Sequence, residues 1–308
     1  MLKYVCLIFI VMFKLSAYEL GVVAIFKDSA LYLKEWIEYH KMVGVDHFWL
    51  YNNESTDGWR EILDPYIQEG VVEVFFAPSY VNTWSSEQLK SAEHGSWVPA
   101  QLQAYKDGIN KAKETDTKWV GLIDSDEFIL PMEDATVVES LNKHFQNADG
   151  VYTCWRCFGT SNIYLNKYEN LIPRLTMCSS RTHPYNGVGK SIVRPNSVKI
   201  DEIWHVHHFP MVDGSVYRYS DGLYIPKKYT QKSDLQLDGK THDKYLRINH
   251  YILRDENYFW NVRIPREDIR KVGSIDRKHY KDFSKEKDLK IHDFIKKFHP
   301  NIYSLFFN

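Results

Sequence analysis

The chain has 308 residues, enough for one large domain with embellishments or two small ones. Hydrophobic residues at 44% and charged residues at 26% are those of an ordinary globular protein. A net charge of −1 provides no basic field, which excludes a nucleic-acid partner.

Lys3 precedes the apolar run "YVCLIFIVMF", and "KLSA" follows it. A charged start, a short apolar centre and a small-residue end predict a secretory signal over residues 1–17, cleaved after Ala17. The run is short for a membrane span and Lys14 interrupts it; an uncleaved anchor, with membrane association through the N-terminus, is the alternative. This address implies a secretory route: the Golgi lumen or membrane in a eukaryotic source, the envelope or secretion in a bacterial one. Cys6 would leave with the signal. Cys154 and Cys157 form a CxxC with no second pair to complete a zinc site, so these two and Cys178 are expected to be buried thiols in or near a strand.

From residue 20 strands and helices alternate. "LGVVAIF" (20–26) predicts a buried strand, and "SALYLKEWIEYHKMVG" (29–44) a helix capped by Ser29 and stopped at Gly44. "HFWLYNN" (47–53) is a second strand. "STDGWREILDPYIQEG" (55–70) is a helical segment interrupted at Pro65 and closed by Gly70. "VVEVFFAP" (71–78) is a third strand, "PAQLQAYKDGINKAKE" (99–114) an amphipathic helix and "KWVGLID" (118–124) a fourth strand. This alternation predicts right-handed crossovers and an α/β fold with a mostly parallel sheet, whose ligands bind beyond the carboxyl ends of the strands. Those ends carry Lys27-Asp28, Asn52-Asn53-Glu54 with Asp57, Pro78-Ser79, and Asp124-Ser125-Asp126. Three of the four are rich in polar side chains, which singles out one rim.

After residue 130 the rhythm changes. "TVVESLNKHFQ" (136–146) reads as a helix and "GVYTCWRCF" (150–158) as a strand. "GKSIVRP" (189–195), "IDEIWHVHHF" (200–209) and part of "HDKYLRINHYIL" (242–253) read as shorter strands, a smaller mixed region. Residues 266–308 read as a charged C-terminal helical extension beyond a domain spanning 18–265.

Within "WVGLIDSDEFILP" (119–131), three carboxylates follow the end of a hydrophobic strand. Packed carboxylates repel one another and are costly to bury, so a cation is the expected remedy. On a strand side chains alternate, so Asp124 and Asp126 would face one way and share a metal. Two hard carboxylates suit Mn²⁺ or Mg²⁺, and the natural partner of that ion is a diphosphate. Glu127 would face away and brace the loop. "WHVHHF" and "NHY" supply His205, His207, His208 and His250 as sources of a third ligand, with His205 and His207 on one strand face.

The stretch "KDSALYLKEWIEYHKMVGVDHFWLYNNESTDGW" resembles the opening block of glycosyltransferase family 92 and its family 2-like relatives. Gln101, "DSDEF", "WRCFG", "KSIVRP" and "INHY" follow in that family's order, so the resemblance runs from about residue 20 to residue 265. It implies a GT-A fold, a nucleotide-sugar donor such as a UDP-sugar, a divalent cation, and inversion at the transferred sugar. By position, Lys27, Glu35, Asn53, Asp57 and Gln101, with Asp124, match the donor-side motifs, and Asp124 and Asp126 match the metal motif. His250 is the first histidine carried over as a metal ligand and His208 the second. Asp28, Pro173 and Arg254-Asp255 depart from the family pattern and bear on the acceptor side.

These readings converge on a metal-dependent glycosyltransferase acting on a glycan or glycoconjugate. Glu202 and Asp255 are the base candidates, with Asp201 and Glu256 equally placed in sequence. Trp155, Tyr185 and Trp260 are candidates for stacking on acceptor sugars. The alternative is an inactive glycan- or nucleotide-binding protein on the same scaffold. A nucleotidyltransferase would need a Gly-rich phosphate loop after the first strand, which "FKDSALYL" lacks.

Overall fold

The computed structural model describes residues 18–77, 97–167, 169–226, 240–265 and 280–307. The expected signal segment and Pro78-Ser79 lie outside them. In chain order the strands are β1 (Leu20–Phe26), β2 (His47–Asn52), β3 (Val72–Phe76), β4 (Trp119–Leu122), β5 (Glu127–Pro131), β6 (Gly150–Cys157), β7 (Met177–Cys178), β8 (Gly189–Val193), β9 (Tyr217–Tyr219), β10 (Leu246–His250) and β11 (Glu286–Lys287). The main sheet has the order β3-β2-β1-β4-β8-β6-β10-β5, with β9 beside β6. β3, β2, β1 and β4 pair in parallel, as do β6 with β10 and with β9. β8 and β5 run against their neighbours. This is the α/β architecture of GT-A type that the strand and helix alternation and the family resemblance implied. The carboxyl ends of β1, β2, β4, β6 and β10 therefore meet at one rim.

Alternation along β1 sends Val22 and Ala24 to one face and Val23 to the other. On the first face, Leu33, Trp36 and Ile37 of α1 (Ala30–Met42) and Leu63 of α2 (Trp59–Glu69) complete the core. On the second, Tyr105 and Ile109 of α3 (Trp97–Glu114) pack with Val120, Leu122 and Val193. A Cβ added at Gly108 would lie 2.5 Å from Val23 Cγ2, so glycine is what lets α3 press against β1. That close approach brings Tyr105 and Gln101, one and two turns earlier, over the rim. α4 (Val137–His144) starts with a full capping box between Thr136 and Glu139.

Several expected boundaries move. Ser29 makes no side-chain cap; the α1 N-terminus is held instead by Asp57, whose Oδ2 accepts the Ala30 N–H at 2.7 Å. α2 runs through Pro65 without interruption and stops at Gly70, in the left-handed region at φ 78°. Residues 200–209 form no strand. A 3₁₀ turn, Ile200–Glu202, leads into irregular chain whose buried Ile203, Val206 and Phe209 recur every third residue, a spacing a pleated strand cannot bury.

The described part of the C-terminal segment, helical at Lys290–Phe298 and Tyr303–Phe307, packs against the main body. It pairs β11 with β7 and adds α5 (Lys290–Phe298), whose Ile291, Phe294 and Ile295 join the same core as α1. Arg247 of β10 is fully buried and forks onto Asp288 at 2.9 and 3.1 Å. Cys154, Cys157 and Cys178 are buried thiols in β6 and β7, outside any disulfide, as expected.

Candidate active site

β4 ends at Leu122, so residues 123–126 leave the pleat before the acidic cluster begins. The inference that Asp124 and Asp126 share a strand face does not survive this. The turn closes on itself, with Glu127 N–H donating to the Asp124 carbonyl and Asp124 N–H to Glu127 Oε2, both at 3.1 Å. Glu127 then opens β5, directly opposite His250 of antiparallel β10. Residues so opposed have neighbouring side chains on one face, and Glu127 turns toward the site rather than away from it.

Among the described residues, Asp124, Glu127 and His250 are the group whose ligand atoms lie within 4.8 Å of one another. Glu127 is fully buried and its Oε1 has no hydrogen-bond partner; neither has His250 Nδ1. Burial, reinforced by the Asp124 and Asp126 charges, pushes the Glu127 carboxyl well above its usual range. An unpartnered buried carboxylate oxygen beside an imidazole and a second carboxylate is the donor set a divalent cation would satisfy. Asp126 stands at the edge of this set, its Oδ1 3.5 Å from His250 Nε2. Burial would raise its carboxyl, but His250 and Arg254 outweigh that and hold it below its usual range. Trp155 packs on His250, with ring centroids 4.3 Å apart.

Asp124 is oriented from the α3 side. Its Oδ1 accepts from Gln101 Nε2, from Lys190 Nζ at 3.0 Å and, more loosely, from Tyr105 OH at 3.4 Å. Lys190 is 1% exposed. Burial alone would lower its ammonium pKa, and Asp124, Tyr105 and Glu127 together raise it above the usual value. Lys190 belongs to the recognisable motif "KSIVRP", but a lysine inside a strand carries no local sign of being a buried counter-charge.

The other candidates separate. Lys27 is half-buried where β1 ends, and Asn53 donates to the Ala77 carbonyl at 2.6 Å, tying the ends of β2 and β3. Glu35 corrects a donor-side expectation: it is buried, and its two oxygens accept the Leu171 and Ile172 N–H groups at 2.6 and 2.8 Å. Its neighbours staple α1 to β5, Trp36 Nε1 donating to the Glu127 carbonyl at 2.8 Å and Tyr39 OH to the Ile129 carbonyl at 3.1 Å. Glu35→Gln turns one acceptor into a donor facing an N–H. It is expected to lower stability by about 1–3 kcal/mol in denaturant titrations, with Mn²⁺ affinity of the folded protein unchanged.

The two base candidates stand in different surroundings. Asp255 is fully buried, accepting from Tyr32 OH and, at 2.9 Å, from the Asn257 N–H. Glu202 is exposed and pairs with Lys199 at 3.5 Å. Asp201 is likewise exposed, and Glu256 is engaged by Thr160, Tyr280 and Trp260. His208 does not join the acidic group; its ring stacks on His205 at 4.5 Å. Tyr185 packs beside Phe283, and Trp260 is half-exposed with its indole N–H on Glu256.

Fold and site together define an α/β domain of GT-A type with an acidic and histidine-bearing centre at the carboxyl rim of its sheet. Residues 22–257 match the model of glycosyltransferase family 92, and the chain belongs to that family. It is 26% identical over 220 residues to a family 92 protein of rice, Oryza sativa subsp. japonica, covering 70% of this chain and 33% of that one. It is 26% identical over 210 residues to a family 92 protein of Arabidopsis thaliana, covering 64% and 32%. The chain thus spans about a third of the length of these curated relatives. Similar solved structures include S. aureus TarS 1–349, at 13% identity and a TM-score of 0.38, covering 93% of this chain and 72% of that one. The same protein in complex with UDP also gives 13% and 0.38, covering 94% and 83%.

Proposed function

We propose that the protein is a metal-dependent, inverting glycosyltransferase that moves a sugar, a hexose, from a UDP-sugar to a hydroxyl of a glycan or glycoconjugate. The observation that carries this reading is the convergence of Asp124, Glu127 and His250 at the carboxyl rim, with a buried carboxylate oxygen and an imidazole nitrogen left unpartnered. Membership of family 92 supports the donor class and the reaction.

Asp124, Glu127 and His250 would hold the cation, and the imidazole favours Mn²⁺ over Mg²⁺, which prefers oxygen alone. When bound, the cation supplies the charge that offsets the donor diphosphate and eases its departure. Gln101 and Lys190 fix Asp124 through one oxygen, and Trp155 fixes the His250 ring. In transfer, the acceptor oxygen bonds to the anomeric carbon on the face opposite the diphosphate. The bond from that carbon to the diphosphate oxygen breaks with its electron pair leaving on the nucleotide, and the acceptor proton passes to a base.

A panel of nucleotide sugars incubated with the protein and Mn²⁺, with and without chelator, tests the reading. Chelator-sensitive release of UDP supports it; nucleotide-sugar binding without any turnover would replace it with the binding-protein alternative. His250→Ala is expected to weaken Mn²⁺ affinity by more than about tenfold, since even outer-shell partners of a metal are worth that much. His208→Ala should leave it unchanged, and a metal defect in His208→Ala alone would contradict the placement. We propose further that residues 1–17 direct the chain to a secretory route and are removed. N-terminal sequencing of protein from its host should begin at Tyr18, and an intact Met1 in a cytosolic fraction would refute this.

A further inference from the structure

Arg254 lies in the segment that leaves β10, four residues beyond His250, with a left-handed backbone at φ 52°. That region disfavours any residue with a Cβ, and such strain persists only where the surroundings enforce it. The side chain is 3% exposed. Its guanidinium sits against two tyrosine rings, 4.6 Å from the centroid of Tyr32 and 4.3 Å from that of Tyr258. Tyr32 is itself anchored by its hydroxyl, which donates to Asp255.

From this seat the fork reaches two loops. Nη1 donates to Ser29 Oγ and Nη2 to Ser125 Oγ, each at 3.1 Å. Ser29 Oγ donates onward to the Lys27 carbonyl at 3.0 Å, where β1 ends. Nε has no hydrogen-bond partner and stands 4.0 Å from Asp126 Oδ2. A buried guanidinium carries a desolvation penalty that a loose pair at this distance does not offset, and an apolar side chain would fill the space between two rings more cheaply. What an apolar side chain cannot do is bind both serines at once. Planar geometry suits arginine to that task where lysine offers only a point charge.

We propose that Arg254 is a positioning residue that clamps the acidic turn, through Ser125, to the exit of β1, through Ser29, so that the cation and donor halves of the site keep one spacing. The proposal rests on reading the rim as a cation- and donor-binding site.

The test uses the full chain and the variants Ser125→Ala, Arg254→Lys and Arg254→Met. Mn²⁺ affinity is read by electron paramagnetic resonance, donor KM and kcat are measured separately, and amide hydrogen exchange is followed at residues 27–30 and 124–127. Ser125→Ala leaves one buried guanidinium N–H unpaired, so it should stay folded with a melting temperature lowered by a few degrees, weaken Mn²⁺ binding by up to about tenfold, and speed exchange in both segments. Arg254→Met should lose more, with donor KM rising further than kcat falls, and Arg254→Lys should fall between it and wild type. If Arg254→Met does not fold, the other two variants decide the matter. Wild-type Mn²⁺ affinity and exchange in folded Ser125→Ala and Arg254→Lys would overturn the clamp. Should the wild-type protein bind no Mn²⁺, the metal reading fails and exchange alone judges the clamp: faster exchange in both segments of Ser125→Ala sustains it, and unchanged exchange overturns it.

Discussion

Asp124→Ala is expected to cut Mn²⁺ affinity by more than about 100-fold, beyond the loss of an outer-shell partner, and to abolish transfer. It should also destabilise the apo protein. From sequence, removing one carboxylate of three would relieve repulsion and leave stability level or higher. The structure reverses the sign for this residue, because Asp124 is the partner of the buried Lys190 ammonium. Leaving that charge unpaired is worth about 3–5 kcal/mol. Glu127→Gln should behave in the opposite way. Glu127 is buried beside two like charges and its carboxyl is pushed up, so its ionised form is a burden on the folded state. Since its folded pKa lies above the unfolded one, that burden grows as pH rises past the ordinary carboxylate range. Glutamine should therefore lose Mn²⁺ binding while holding or gaining apo stability at neutral pH. Denaturant titrations of both variants without metal check the contrast, and equal destabilisation in the two would contradict it.

Asp288→Ala is the change expected to harm the fold most. Arg247 loses both hydrogen bonds to it, and Arg156, whose Nε is 3.8 Å from Asp288, loses a counter-charge. An unpaired buried arginine of this kind is worth about 3–5 kcal/mol, and a fall in melting temperature on the order of 10 °C follows. Burial would raise the Asp288 carboxyl, but Arg247 outweighs it and the pKa is lowered. The stability the pair contributes is thus fully present above the ordinary carboxylate range and is lost as pH falls through the lowered value. Asp293→Ala, at an exposed position of α5, is the control and should melt like wild type. An Asp288→Ala protein with a wild-type melting curve at neutral pH would mean that the C-terminal segment is the separate extension the sequence implied.

What could be read in advance follows from range. β1 to β4 and the first helices were legible because apolar runs, their periods and Gly70 are local signals. The acidic turn was legible as chemistry but not as geometry. Once β4 stopped at Leu122, the pleat argument no longer applied, and the partner of Glu127 was settled by an antiparallel strand far along the chain. Lys190 and Arg247 were invisible as buried cations because lysine and arginine are mostly exposed, and only tertiary structure names the carboxylate that draws each inside. The run "EWIEYH" was recognisable but its packing was not: Glu35 holds the chain at Leu171, and Trp36 and Tyr39 hold it along β5. Arg254 gave no sign in sequence of joining Ser29 to Ser125, since those partners lie far from it along the chain.

The most direct test of the account is anomalous diffraction at the manganese edge from crystals of the protein grown with Mn²⁺ and UDP. The account predicts one strong peak bounded by a carboxylate oxygen of Asp124, a carboxylate oxygen of Glu127 and a ring nitrogen of His250, each at about 2.1 Å. A peak on other residues, such as His205 and His208, or none at all while UDP is bound, would contradict it.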